Sequence, residues 1–221
     1  MRHSEDERAL TRLLNPHPAE CAGLALAALR PEVNVVLVDR KPISLAFALK
    51  RSAELGLENV KTWCGELQEY DQPFDLGIGL HCCGSATDHI LDLCIAKDAA
   101  FVVCPCCFGF VQHDGKPSPD TPEGSEQFPK SKQFEKAGLS AQHYRVLAAG
   151  ADMTFYEKDT VEADKQVAHK RDKDTGKLCM TLVNMDRKLW AEDKGWDVKL
   201  LRMVPDSCTP KNEILVGRAP K

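Results

Sequence analysis

Short apolar runs rich in β-branched residues alternate along the chain with segments whose apolar residues recur at helical spacing. Val33–Asp39 is one such run, and it predicts a strand that is buried on both faces. Pro42–Leu55 has helical spacing and is followed by Gly56, a residue typical of the end of a helix. The pattern then repeats, with predicted strands at Val60–Cys64, Phe74–Leu80 and Ala99–Cys104 and a predicted helix at Thr87–Ala96.

The last third of the chain predicts helices followed by two strands. Ser131–Ala137 and Met153–His169 are amphipathic, and a long helix is predicted from about 177 to 194. Two strands, Trp196–Met203 and Glu213–Gly217, predict an antiparallel hairpin at the end of the sheet. The whole pattern indicates an α/β fold with a doubly wound, mostly parallel, Rossmann-like sheet.

Length and composition indicate one globular unit. At 221 residues, with 43% apolar and 28% charged residues, we expect a single domain over 1–221 with an irregular, proline- and glycine-rich loop at about 108–128. The net charge of -4 predicts no broad basic surface for nucleic acid. The charged amino terminus and the lack of a long apolar run predict a cytoplasmic protein without a membrane segment.

Cysteines cluster where two predicted strands end. Cys82 and Cys83 follow one strand, and Cys104, Cys106 and Cys107 close the next. Such clusters are compatible with a zinc site, but neighbouring residues on an extended chain point in opposite directions, so we expect no metal. The spacing also lacks the Glu and the second Cys of a zinc deaminase. Small thiols packed between strands and helices are the simpler interpretation.

Two segments carry a family resemblance: LGIGLHCCGSATDHILDLCIAKDAAFVVCPCCFGFVQ at 76–112 and GKLCMTLVNMDRKLWAEDKGWDVKLLRMVPDSCTPKNEILVG at 176–217. With FPKSKQF at 128–134 and GADMT at 150–154, they resemble the methyltransferase domain of the glutathione S-transferase C-terminal domain-containing protein family, which is class I S-adenosylmethionine-dependent methyltransferase-like. The resemblance runs from about 21 to 217. A more distant similarity to a tRNA methyltransferase family and to ribosomal-RNA methyltransferase-like proteins points to RNA as an acceptor.

The resemblance implies S-adenosylmethionine as cofactor and gives roles to residues at the strand ends. Asp39 accepts hydrogen bonds from the ribose hydroxyls, although the same carboxylate is also suited to cap the next helix. Glu66 accepts from the adenine amino group, Leu67 lies against the ring, and His81 contacts the methionine part or acts as a base. The acceptor side is formed by Cys104, Pro105, Cys106, Cys107 and Phe108. Parallel strand ends share one edge, so we expect these residues on one rim.

The sequence departs from this family pattern before the first helix. A glycine-rich loop is expected there, yet Gly23 is the only glycine before Gly56, and Pro16 and Pro18 stand where a buried strand is expected. We therefore predict that the first strand is missing or replaced and that S-adenosylmethionine binds weakly or not at all.

Three functions remain open at this point. The first is a methyltransferase whose acceptor is RNA, protein or a small molecule. The second is a non-catalytic scaffold of the same fold that binds a partner protein or RNA. The third is a cysteine-based metal or redox protein.

Overall fold

A computed structural model describes residues 12–16, 20–109, 128–155 and 163–220, and it contains a seven-stranded sheet in the order β3-β2-β1-β4-β5-β7-β6. The strands are β1 (Arg12–Pro16), β2 (Asn34–Asp39), β3 (Val60–Cys64), β4 (Leu76–Leu80), β5 (Ala100–Cys104), β6 (Asp197–Arg202) and β7 (Glu213–Arg218). The helices are α1 (Glu20–Leu29), α2 (Pro42–Glu54), α3 (Ala86–Ala96), α4 (Lys132–Lys136), α5 (Ala141–Ala151) and α6 (Ala163–Asp193). This arrangement confirms the predicted doubly wound α/β fold.

The first strand is present, so the prediction that it is missing or replaced was wrong. β1 lies inside the sheet between β2 and β4, and it is parallel to β2 over five residue pairs from Arg12↔Asn34 to Pro16↔Val38. It pairs with β4 only at Leu13 and Leu14. Pro16 is the last strand residue, two positions beyond the end of the β4 pairing, so its missing N–H interrupts the ladder very little. Pro18 lies outside the described residues.

The hairpin prediction is confirmed. β6 and β7 pair antiparallel from Asp197↔Arg218 to Arg202↔Glu213. β7 also pairs antiparallel with β5, so β6 forms the edge of the sheet. The first five strands are parallel, and β2 to β5 therefore end at the same edge of the sheet.

Alternating residues of β2 face two different cores. Val35 and Leu37 are buried in a cluster with α1 and α2, whereas Val36 and Val38 contact a larger cluster on the opposite face. That larger cluster includes residues of α3, α6, β5 and β6. This two-sided burial accounts for the continuous apolar run that predicted the strand.

Glycines in β4 let α3 and the following turn approach closely. A Cβ at Gly77 would lie 2.4 Å from Cys94 Sγ, and a Cβ at Gly79 would lie 2.9 Å from Cys82 Sγ. Both thiols are buried. Cys82 and Cys94 therefore pack onto glycines, which supports the structural interpretation of these two cysteines.

The segment between β5 and β6 differs most from the prediction. α5 was not predicted, and α6 begins at Ala163 instead of about 177. The predicted amphipathic segment 153–169 contains a 3₁₀ turn at Asp152–Phe155 and the start of α6. Its residues 156–162, like most of the predicted loop at 108–128, lie outside the described residues. Among the described helices, none combines the length and apolar character needed to cross a membrane.

Candidate cofactor site

A cavity of about 880 Å³ opens at the carboxyl ends of β2, β3, β4 and β5. Asp39, Glu66 and His81 all line it, which confirms that the three lie on one rim. The lining also includes Leu67, His89, Cys83, Cys104, Cys106, Cys107 and Lys211. The cavity volume falls within the range of about 300 to 1,000 Å³ that is typical of small-molecule sites.

Asp39 occupies the end of β2 and is 6% exposed. Its Oδ1 accepts from the backbone N–H of Lys41 at 2.8 Å. Lys41 is itself the N-cap residue of α2 and that helix has no side-chain cap, so the suggestion that Asp39 caps the helix was wrong. The Asp39 carbonyl accepts from Gly65 N at 3.1 Å, which ties the end of β2 to the turn after β3. The carboxylate is thereby fixed at the cavity wall.

The turn after β3 positions Glu66 and Leu67. Glu66 caps a 3₁₀ turn over Leu67–Glu69, and its Oε1 lies 3.5 Å from Arg40 Nη1. Leu67 is buried and contributes an apolar side chain to the cavity. A Cβ at Gly65 would lie 2.6 Å from the Trp63 ring. The close approach of the Trp63 ring therefore favours glycine at this position.

His81 has a left-handed backbone with φ of 58°, which is uncommon for a residue with a Cβ. The turn that holds it is fixed by Gly84 N, which donates to the Cys107 carbonyl at 3.0 Å, and by Thr87 Oγ1, which donates to the Cys82 carbonyl at 2.6 Å. Strained residues held in this way cluster at functional sites. The exposed imidazole is thereby presented to the cavity.

The turn after β5 is held by residues to which the sequence gave no role. Asp152 accepts from Phe108 N at 3.0 Å, from Gly109 N at 2.7 Å and from Lys211 Nζ at 2.9 Å. Lys211 is buried and lines the cavity, and its Nζ also donates to the Ala151 carbonyl at 2.5 Å. Burial lowers the pKa of Lys211, and Asp152 opposes this effect. The motifs GADMT and CTPKN were the only sequence signals for this pair.

Two of the predicted acceptor-side residues do not face the cavity. Phe108 is fully buried in a cluster with Phe128, Tyr144 and Met180, and Lys211 Nζ lies 4.7 Å from its ring centre. Its ring therefore cannot stack on an acceptor, and the prediction was wrong because the aromatic side chain is core. Pro105 is also buried and is absent from the described cavity lining. Cys104, Cys106 and Cys107 do line the cavity.

Three thiols meet at the cavity wall. Cys83 Sγ lies 3.4 Å from both Cys106 Sγ and Cys107 Sγ, and the latter two are 3.6 Å apart. The expectation that Cys106 and Cys107 point apart was wrong, because both follow the end of β5 and are not in an extended strand. Cys82 and Cys83 do point apart, as expected, because Cys82 packs on Gly79. Burial raises the pKa of Cys82 to about 12 and that of Cys104 to about 11, so neither is a thiolate near neutral pH.

Comparison with known proteins finds a family model and sequence relatives that match this chain. A family model described as a methyltransferase domain matches residues 21–114. The human glutathione S-transferase C-terminal domain-containing protein is 39% identical over 195 residues, covering 88% of this chain and 28% of that protein. Its Drosophila melanogaster homologue is 37% identical over 195 residues, covering 88% of this chain and 31% of that protein. The chain thus spans less than a third of the length of these relatives.

Among solved structures, the apo form of the S-adenosylmethionine-dependent methyltransferase SibL is similar at 16% identity and a TM-score of 0.49, covering 99% of this chain and 53% of that one. The family assignment rests on the sequence relatives and the family model. The chain contains the methyltransferase domain of the glutathione S-transferase C-terminal domain-containing protein family, without the glycine-rich motif before its first helix.

Proposed function

We propose that this domain binds S-adenosylmethionine in the cavity at the carboxyl edge of the sheet and directs methyl transfer to an acceptor. The observation that carries the proposal is the convergence of Asp39, Glu66 and His81, from the ends of three parallel strands, on one cavity of about 880 Å³. Ligands of doubly wound sheets bind at this edge. The cofactor supplies an activated sulfonium methyl group, and the protein contributes mainly binding and orientation.

The residues of the cavity fit the adenosine half of the cofactor. Asp39 offers a fixed carboxylate to the ribose hydroxyls, in addition to its contact with Lys41 N. Glu66 offers an exposed carboxylate to the adenine amino group, and Leu67 offers an apolar surface to the ring. Asp39 is the last residue of β2, and Glu66 and Leu67 follow β3, the neighbouring strand of the sheet.

His81 is assigned to the reacting end of the cavity. Its exposed imidazole lines the cavity and can accept a proton from the acceptor. Cys104, Cys106 and Cys107 line the same end, because β5 lies next to β4. These thiols would form the wall against which the acceptor lies.

RNA is the acceptor class that we propose to test first, on the basis of the distant resemblance to tRNA and ribosomal-RNA methyltransferase proteins. Arg40 lines the cavity and offers a cationic side chain to an anionic acceptor. The overall charge of -4 means that such attraction would be local.

The absence of a glycine-rich motif before α1 favours a second candidate function, the non-catalytic scaffold. Backbone N–H groups approach a charged ligand most closely at glycine, and the chain has only Gly23 before Gly56. The methionine end of the cofactor therefore has less support than the adenosine end. A chain that retains the fold but binds no cofactor would act through a partner protein or RNA instead.

Calorimetric titration of S-adenosylhomocysteine into the wild type and an Asp39→Ala variant tests the proposed site. The variant should bind about 10- to 100-fold more weakly, the effect of losing one or two hydrogen bonds to a charged group. Asp71→Ala is the matched control, because Asp71 is an exposed acid outside the described cavity lining. Equal affinities of the wild type and Asp39→Ala would show that Asp39 does not bind the ribose. If neither the wild type nor a variant binds the ligand, the result favours the non-catalytic scaffold.

A further inference from the structure

We propose that Cys83, Cys106 and Cys107 form a binding site for a zinc-type divalent cation, with the fourth coordination position open to the cavity. The three Sγ atoms form a nearly equilateral triangle with sides of 3.4, 3.4 and 3.6 Å. The site is distinct from the adenosine-binding residues and does not depend on the proposed methyl transfer.

The dimensions of the triangle fit a tetrahedral ion. Zinc–sulfur bonds of about 2.3 Å place thiolate sulfurs about 3.8 Å apart in a tetrahedron. The sulfurs need to separate by only a few tenths of an ångström to accept the ion. A disulfide is the alternative use of such close thiols. It would join only two of the three sulfurs, whereas a metal ion would use all three.

The backbone already holds the thiols together. Cys83 follows β4, and Cys106 and Cys107 follow β5, and these strands are adjacent and parallel. Gly84 N donates to the Cys107 carbonyl at 3.0 Å, so the two turns are joined at the cluster itself. Because the two turns that carry the thiols are already joined at the cluster, metal binding requires little reorganisation.

Access and electrostatics also suit an ion. Cys106 is buried, Cys107 is half-buried and Cys83 is exposed, and all three line the cavity, which provides a path for the metal. Lys211 lines the same cavity, and the N-terminus of the 11-residue helix α3 begins three residues after Cys83. The positive end of the α3 dipole favours the thiolate form of the ligands, whereas the Lys211 ammonium is shared with the carboxylate of Asp152.

Binding involves no oxidation or reduction. Each of the three S–H bonds loses its proton to solvent, three Zn–S bonds form, and the ion remains divalent. Three protein ligands with one open position are typical of zinc that contacts a ligand directly, whereas closed structural sites have four. Because all three cysteines line the cavity, the open position would be available to water or to a nitrogen or sulfur atom of a molecule bound there.

Cobalt(II) titration of the complete, reduced and metal-free chain tests the site. We expect one equivalent of cobalt to give thiolate-to-cobalt charge-transfer absorption and the intense visible bands of a tetrahedral ion, and zinc to abolish both. Cys83→Ser and Cys106→Ser should each weaken cobalt binding by more than about 10- to 100-fold, which is the usual effect of losing even an outer partner of a metal ligand. Cys64→Ser is the control, because Cys64 is an exposed thiol at the end of β3.

Circular dichroism checks that each variant is folded, and the titration of the wild type tests the site even if a variant unfolds. The proposal is overturned if the reduced wild type gives no thiolate bands. It is also overturned if Cys64→Ser weakens binding as much as Cys83→Ser, or if Cys83→Ser binds cobalt like the wild type.

Discussion

The guanidinium of Arg187 lies against the carboxylate of Asp88, with Nη2 2.7 Å from Oδ2 and Nε 3.0 Å from Oδ1, and both side chains are fully enclosed. The same guanidinium donates to the Gly84 carbonyl at 3.4 Å. Arg187 on α6 therefore supports both α3 and the turn that presents His81 to the cavity. The candidate site depends on a residue that lies more than 100 positions further along the chain.

Arg187→Met should destabilise the protein by about 3 to 5 kcal/mol, because it leaves the buried carboxylate of Asp88 without its main partner. Urea denaturation at pH 7 measures the change. Lys188→Met is the control: Lys188 pairs with Glu192 on the half-buried side of the same helix, and losing that pair should cost about 0.3 to 0.5 kcal/mol. Similar effects of the two substitutions would show that the Arg187–Asp88 pair contributes no more than a surface pair.

The same pair predicts a pH dependence. Burial raises the pKa of Asp88, but the Arg187 guanidinium, helped by Lys130, outweighs this and holds the pKa below its usual value of 3.8. Because the folded pKa is below the unfolded one, the stabilisation is present above about pH 4 and is lost as the pH falls further. In Arg187→Met the burial effect dominates, so the pKa of Asp88 should rise and the variant should lose stability as the pH increases from 4 to 7.

The stability difference between the wild type and Arg187→Met should therefore shrink by at least about 1.4 kcal/mol, the equivalent of one pKa unit, between pH 7 and pH 4. Urea denaturation at both pH values measures it. Asp88→Asn, introduced into the wild type and into Arg187→Met, is the control. It removes the titrating carboxyl group, so the stability difference between these two chains should no longer depend on pH. A difference that stays constant with pH would contradict the assignment.

Gly65→Ala should destabilise the protein by about 1 to 3 kcal/mol through overpacking, because the new methyl group would lie 2.6 Å from the Trp63 ring. Tryptophan fluorescence should change as the indole moves, and urea denaturation gives the energy. In a Trp63→Phe background the smaller ring leaves room, so Gly65→Ala should cost clearly less. Equal costs in the two backgrounds would show that Trp63 is not the obstacle.

Much of the fold was predictable because burial on both faces leaves a strong sequence pattern. β2, β4 and β5 have apolar runs, and their ends place Asp39, His81 and Cys104 at one edge by topology alone. β1 was missed because Pro16 argues against a central strand, whereas its position at the strand end makes it acceptable.

The support of the site was not predictable, because it depends on contacts between residues distant in sequence. Arg187 meets Asp88 across 99 positions, and Lys211 meets Asp152 across 59. The thiol triangle was excluded on the assumption that the chain stays extended through Cys106 and Cys107, but these residues lie in the turn that follows the end of β5 at Cys104. Only the local backbone after the strand decides where two neighbouring side chains point.

Calorimetric titration of S-adenosylmethionine into this chain, and into a variant with glycine in place of His17, Pro18 and Glu20, tests the central claim most directly. The cavity should accept the cofactor, but weakly, because these residues follow β1, where a glycine-rich loop would bring backbone donors to the methionine end. The glycine variant should bind tighter by about 1.5 to 3 kcal/mol for each charged contact regained, or roughly one to two decades in affinity. Micromolar or tighter binding by the unchanged chain, or no binding by either chain, would contradict the account.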